Sequence, residues 1–215
     1  MKKSVIILIV LIFSMGVYAQ TPTVGKFMLR PMAGITLSSF GMSVTDKTVH
    51  GVTLASIESK TKVGFTGGLE FGYQLNDWFQ PSAGVFYSQQ GSKLKLYTGT
   101  HEEVDRETLN ADYITIPLLA NFYLFDGFAV KAGLQPGIML RFNDDAGYNI
   151  DDCTNKFQLQ IPVGVSYQYQ NFIIDARAMV PVTKVFDKDK LGDVMFFDDS
   201  RNNTFSITLG YNFEL

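Results

Sequence analysis

Polar and apolar residues alternate one by one through eight separate stretches of this chain. The last stretch is the plainest. Over 204–215, Phe205, Ile207, Leu209, Tyr211, Phe213 and Leu215 fall on one face, and Thr204, Ser206, Thr208, Gly210, Asn212 and Glu214 on the other. A period of two is that of a β-strand whose two faces meet different surroundings. Residues 157–169 repeat it, with Phe157, Leu159, Ile161, Val163, Val165, Tyr167 and Tyr169 against Gln158, Gln160, Pro162, Gly164, Ser166 and Gln168. In 113–124, Ile114, Ile116, Leu118, Ala120, Phe122 and Leu124 alternate with Tyr113, Thr115, Pro117, Leu119, Asn121 and Tyr123. In 128–141, Phe128, Val130, Ala132, Leu134, Ile138 and Leu140 oppose Lys131, Gly133, Gln135, Gly137 and Arg141. Weaker alternation through 27–37, 62–73, 79–90 and 172–183 brings the expected strands to eight.

The connections alternate between short and long. Residues 74–78, Asp126-Gly127 and Gln170-Asn171 are tight, and the Asp-Gly pair predicts a type I′ turn, whose central residues both need positive φ. The segments 38–61, 91–111, 142–155 and 184–203 are long and polar. Short turns on one side, longer loops on the other and an even strand number predict an all-β fold. It is an eight-stranded antiparallel up-and-down transmembrane β-barrel with both ends on the periplasmic side.

The same alternation would suit a soluble secreted barrel with its apolar face inward, so the charges have to decide. They lie on the polar face: Arg30, Glu70, Lys131, Asp175 and Arg177. The apolar face is nearly free of charge, whereas a water-facing surface mixes charges with apolar atoms. Tyr73, Trp78, Phe79, Phe125, Phe128, Tyr169, Phe172, Tyr211 and Phe213 gather beside the short turns and the C-terminus, where an interfacial aromatic girdle belongs. The apolar face is therefore expected to meet lipid. The five charges then face one another across an interior just wide enough for side chains to fill, which predicts a stabilising polar core of ion pairs.

The N-terminus fits export. Lys2 and Lys3 precede an apolar run over 5–13, and Val17-Tyr18-Ala19 offers a cleavage site before Gln20. The run is shorter than the roughly 20 residues of a membrane helix. Residues 1–19 are thus expected to be a cleaved signal peptide and 20–215 the barrel domain. Removing the leader, which carries two lysines and no acid, takes the formal charge from −3 to −5 and leaves 196 residues. That size suits one domain, and a mildly acidic chain without a basic stretch gives no reason to expect nucleic acid. Cys153 is the only cysteine, so no intrachain disulfide forms.

Little else suggests chemistry. His50 and His101 are the only histidines, and His101-Glu102-Glu103 lacks the second His of a zinc-protease helix. No catalytic residue, cofactor or metal ligand is therefore expected. Asp144, Asp145, Asp151 and Asp152 share one loop, and Asp187, Asp189, Asp193, Asp198 and Asp199 another. They meet no calcium-loop spacing and read as solvated loops.

Residues 208–215 resemble the terminal β-signal read by outer-membrane assembly machinery, with Thr208, Gly210, Phe213 and Leu215 at its key offsets. The run Tyr113-Ile114-Thr115-Ile116-Pro117-Leu118-Leu119, then Asp126-Gly127 and Phe128-Ala129-Val130-Lys131-Ala132-Gly133, resembles the central hairpin of PorT-like outer-membrane β-barrel proteins. Ala33-Gly34 with Thr36 and Ser38, and Leu209-Gly210-Tyr211-Asn212-Phe213, extend the resemblance over 26–215, with a departure at Asn121, where many members carry a basic residue. The resemblance implies an eight-stranded barrel in the outer membrane of a Gram-negative-type bacterium. It implies no single activity, although the namesake takes part in protein secretion. The expected role is a structural or interaction scaffold acting through its surface loops. Its partners would be outer-membrane lipid, the assembly machinery and another envelope or secreted protein. An accessory secretion component is the alternative, and a narrow solute pore ranks third.

Overall fold

The computed structural model describes residues 22–41, 47–49, 52–98, 103–143, 155–185 and 201–215. Every regular element among them is a strand. In chain order they are β1 (Phe27–Gly41), β2 (Lys47–Val49), β3 (Val52–Tyr73), β4 (Phe79–Thr98), β5 (Glu103–Thr115), β6 (Leu118–Phe125), β7 (Phe128–Asn143), β8 (Phe157–Tyr169), β9 (Phe172–Pro181), β10 (Arg201–Tyr211) and β11 (Phe213–Glu214).

All pairings are antiparallel: β3 pairs with β4, β4 with β5 and β6, these two with β7, and then β7 with β8, β8 with β9 and β9 with β10. β1 pairs with both β3 and β10–β11, which closes the sheet into a barrel. The ring has eight strands. β5 and β6 are two halves of one of them, interrupted at Ile116-Pro117, where proline has no N–H to give the ladder. The ladder is kept across the gap by Ile116 N donating to Pro136 O at 2.8 Å and Gly84 N donating to Pro117 O at 2.9 Å. β10 and β11 are likewise halves of the last ring strand, broken at Asn212, while the short β2 pairs antiparallel with the outer end of β3.

The faces are inverted relative to a soluble protein. Phe65, Leu69, Leu134, Ile138, Val163, Ile174 and Leu209 point outward and are exposed, while Arg30, Glu70, Gln80, Gln90, Asn121 and Gln160 are buried inside. Closure satisfies the backbone of every ring strand, which is what a lipid environment demands.

At the short-turn end the aromatic residues meet in pairs. Ring centroids lie 4.7 Å apart for Phe27 and Tyr73, 5.2 Å for Phe79 and Phe122, 4.7 Å for Phe125 and Phe128, and 5.3 Å for Phe172 and Tyr211. Phe27 and Phe122 join the girdle although the turns alone did not single them out. Asn76 Oδ1 accepts from the backbone N of Trp78 at 3.2 Å and of Phe79 at 2.9 Å, which folds the first short turn.

Three expectations need correction. The strands outrun their apolar alternation: 38–61 and 91–111, read as loops, contain the outer ends of β1, β3, β4 and β5. Above the lipid the outward face meets water and is no longer held apolar, so the period-2 pattern fades while backbone pairing continues from Thr61↔Ser92 to Glu58↔Lys95 and Lys95↔Arg106. The Asp126-Gly127 turn has positive φ only at Gly127 (74°), so it is not type I′; a bulge between Tyr123 and Phe125 supplies the extra twist instead. Arg141, placed with the lumen residues, is exposed, and Phe142 takes the inward position. A register shift beside Asp112 and Tyr113 skips one residue of β7 and changes its parity there.

Candidate functional site

The lumen is built in layers. At its middle β1, β3, β7 and β9 bring together the five charged residues expected on the inner face. Glu70 is the hub: its Oε2 lies 2.6 Å from Arg177 Nη2, and its Oε1 lies 3.4 Å from Arg30 Nη1 and 3.9 Å from Lys131 Nζ. Lys131 Nζ also donates to Asp175 Oδ2 at 2.5 Å. Arg177 Nη2 donates to that same oxygen at 3.1 Å, while its Nε lies 2.6 Å from Asp175 Oδ1 as a charge contact whose angle is not that of a hydrogen bond. All five residues are buried. Charges taken from water are tolerated only when paired and hydrogen-bonded, and here each has at least one opposite partner.

Small residues make room for these long side chains. Gly164 stands in register between Lys131 of β7 and Arg177 of β9. A Cβ on Gly164 would lie 3.1 Å from Arg177 Cγ and closer still to the backbone of Ala176.

Below the charges, towards the short turns, a chain of polar contacts continues. Arg30 Nε donates to Asn212 Oδ1 at 2.9 Å and Arg30 Nη2 to Tyr123 OH at 3.3 Å. Tyr123 OH in turn donates to Gln80 Oε1 at 3.4 Å, Gln80 Nε2 to Gln74 Oε1 at 2.8 Å, and Gln74 Nε2 to Asn76 O at 2.8 Å. These residues had been placed on polar faces or in turns, but period alone does not say that they join the charged core to the turn.

Above the charges is a layer of amides. Asn202 Nδ2 donates to Gln90 Oε1 and, at 2.9 Å, to Gln158 Oε1. Gln135 Nε2 reaches Gln160 Oε1 at 3.4 Å, and Gln160 Nε2 donates to Asn202 O at 3.1 Å. The outermost layer is apolar: Phe40, Leu94, Leu109, Ala111, Tyr113, Met139, Phe142 and Val185 form one buried cluster, with the rings of Phe40 and Phe142 stacked at 6.1 Å. Sequence reasoning missed this cap, because most of its members lie in stretches read as loops. The available signal was parity: Phe40 continues the inward series Thr36, Ser38, and Leu94 the series Gln90, Ser92.

The residues of the expected assembly signal lie along the seam where β10 and β11 meet β1. Thr208 faces the lumen and Gly210 packs close to β1, where a Cβ would lie 2.8 Å from Met32 Cγ and 3.0 Å from Pro31 O. Phe213 pairs with Leu29 and is exposed to the outside, as is Leu215, whose N donates to Phe27 O at 2.9 Å. Residues 1–19, His50, His101, Cys153 and the loop aspartates at 144, 145, 151, 152, 187, 189, 193, 198 and 199 lie outside the described residues.

A closed ring of eight strands, a lipid-facing apolar belt with an aromatic girdle and a polar, packed interior define an integral β-barrel of a Gram-negative-type outer membrane. The chain belongs to the outer membrane protein beta-barrel domain family, whose model matches residues 19–187. No curated protein matches it. Among solved structures it is similar to Neisserial surface protein A, at 17% identity and a TM-score of 0.49, covering 87% of this chain and 97% of that one. It is also similar to Ail of Yersinia pestis, solved with the heparin analogue sucrose octasulfate, at 19% identity and a TM-score of 0.44, covering 87% and 99%. OprG of Pseudomonas aeruginosa matches at 13% identity and a TM-score of 0.44, covering 91% and 99%.

Proposed function

We propose that this protein is a closed scaffold in the outer membrane, acting through the hairpins and loops at its outer rim on another envelope or secreted protein, and not a wide pore. The observation that carries this reading is the filled lumen. Ion pairs, amides and an apolar cap succeed one another along it, and each is bridged by side chains from facing strands. A path for solutes would have to break all three. The rim is where a rigid scaffold offers binding residues, and β3, β4 and β5 project there well past the apolar belt.

Planar-bilayer recording of the purified barrel tests the first half of the proposal: the expected trace shows no large, stable conductance, and a steady open level would overturn it. Crosslinking in intact membranes from the outer loops and from the short turns tests the second, with protein captured at the loops expected. A clean result at the loops beside capture at the turns would place the contact on the periplasmic side.

A second reading is an accessory role in secretion, supported by the PorT-like run of residues 113–133. A deletion strain with unaltered export of secreted proteins would remove it. Within either reading residues 1–19 serve as the export signal, and Thr208, Gly210, Phe213 and Leu215 engage the assembly machinery. Replacing Phe213 and Leu215 by Ser is expected to lower the amount of barrel in the membrane while leaving export to the periplasm intact.

A further inference from the structure

Among the described residues the buried charges do not balance. Arg30, Lys131 and Arg177 bring three cations to the two carboxylates of Glu70 and Asp175. One positive charge is left in an interior where charge is costly without a counter-charge. Beside this cluster, between it and the amide layer, is a cavity of about 20 Å³. A space of that size takes one water or one ion of similar radius.

The cavity is lined by the apolar Phe86, Pro117 and Met179 and, around the rest, by side chains that can donate. Arg177 reaches it, and because Nη2 and Nε of its guanidinium are turned to Glu70 and Asp175, Nη1 is the nitrogen not engaged by a described residue. Ser206 and Thr208, both buried, line it from β10 and make no hydrogen bond to another described residue. Ser88 Oγ accepts from Gln90 Nε2 at 3.1 Å, so its own proton is free to point inward. Gln135 Nε2 gives one hydrogen to Gln160 and retains a second. No carboxylate is among the described residues that line the space. A guanidinium N–H, three hydroxyls and an amide converging on one small volume, next to an unbalanced positive charge, favour an anion over a cation and over neutral water.

We propose that this cavity is a structural anion site, taking one halide-sized monovalent anion such as chloride as the counter-charge of the lumen cluster. The anion is held by Arg177, Ser88, Ser206, Thr208 and Gln135, and it neutralises the cluster without entering it.

The test uses the full barrel refolded from denaturant into detergent micelles, in sodium chloride or bromide and, at the same ionic strength, in sodium gluconate, whose anion is too large for the cavity. The melting midpoint is expected to be higher in the halides by about 3 °C or more and to saturate with halide concentration, as a bound ligand requires. Crystals grown in bromide should show one anomalous peak between Arg177 and Thr208. Thr208→Val, which removes a hydroxyl at nearly constant volume, should weaken the halide dependence, and Arg30→Gln, which balances the charges and leaves the lining unchanged, should remove most of it. Equal midpoints in halide and gluconate, or a bromide map with no peak in the lumen, would overturn the proposal and leave the cavity to water. The bromide map reads the wild-type protein, so the answer does not depend on either variant folding.

Discussion

The middle and the outer end of the lumen are packed by opposite means. In the middle, Glu70 and Asp175 bind Arg30, Lys131 and Arg177 through contacts of 2.5–3.9 Å, and each charged side chain has at least one opposite partner. At the outer end Phe40, Leu94, Leu109, Met139 and Phe142 gather into one buried apolar cluster. Both regions are buried, so burial alone does not distinguish them. The difference is in what each region does when a part is lost. A charge network fails when one member leaves another unpaired, whereas an apolar layer fails in proportion to the volume removed. The network specifies register, since Arg30 must meet Glu70 across β1 and β3; the cap needs only shape.

Variants would sharpen this contrast. The largest effect is expected for Glu70→Gln, which strips the shared partner from three cations; a loss of about 5 kcal/mol, the top of the range for breaking a buried pair, should appear as a fall in the urea midpoint of the barrel in lipid vesicles. Phe142→Ala at the cap should cost about 3 kcal/mol in the same assay and leave the middle of the lumen intact. If it costs more than Glu70→Gln, the ranking of the two regions is wrong. The double change Lys131→Met with Asp175→Leu should lie within about 2 kcal/mol of the parent and well above Asp175→Leu alone, because the single change leaves three cations on one carboxylate and the double change leaves two. An additive cycle would mean that the pair is not a unit. The smallest effect belongs to the amide layer between the regions. Thr204 Oγ1 contacts Gln90 Oε1 at 3.3 Å and Asn202 Oδ1 at 3.2 Å, and Thr204→Val should cost about 1 kcal/mol.

How much of this was legible in the chain follows from where alternation is enforced. Within the lipid belt one face of each strand must be apolar and the other is free to be polar, so Phe205 to Leu209 and Ile161 to Val165 reveal their strand and its faces directly. At the outer end the outward face meets water and need not be apolar, and β3 and β4 ran on unnoticed through Lys60 and Lys93, which pair with each other in register. The cap residues were hidden for the same reason. The turn at Asp126-Gly127 was correctly placed, but its conformation was not, because a bulge in the adjacent strand can supply the twist that the turn type would otherwise provide.

The sequence by itself determined that this is an eight-stranded barrel, which face meets lipid and where the short turns lie, because each of these depends on residues one or two apart along a strand. Only the tertiary structure decided who meets whom inside: that Glu70 is shared by three cations, that amides of β4, β8 and β10 join above it, that Phe40 and Phe142 close the outer end, and that a small, partly polar space remains beside Arg177. Those contacts cross the lumen between strands far apart in the chain. They depend on ring closure and register, which no local period contains.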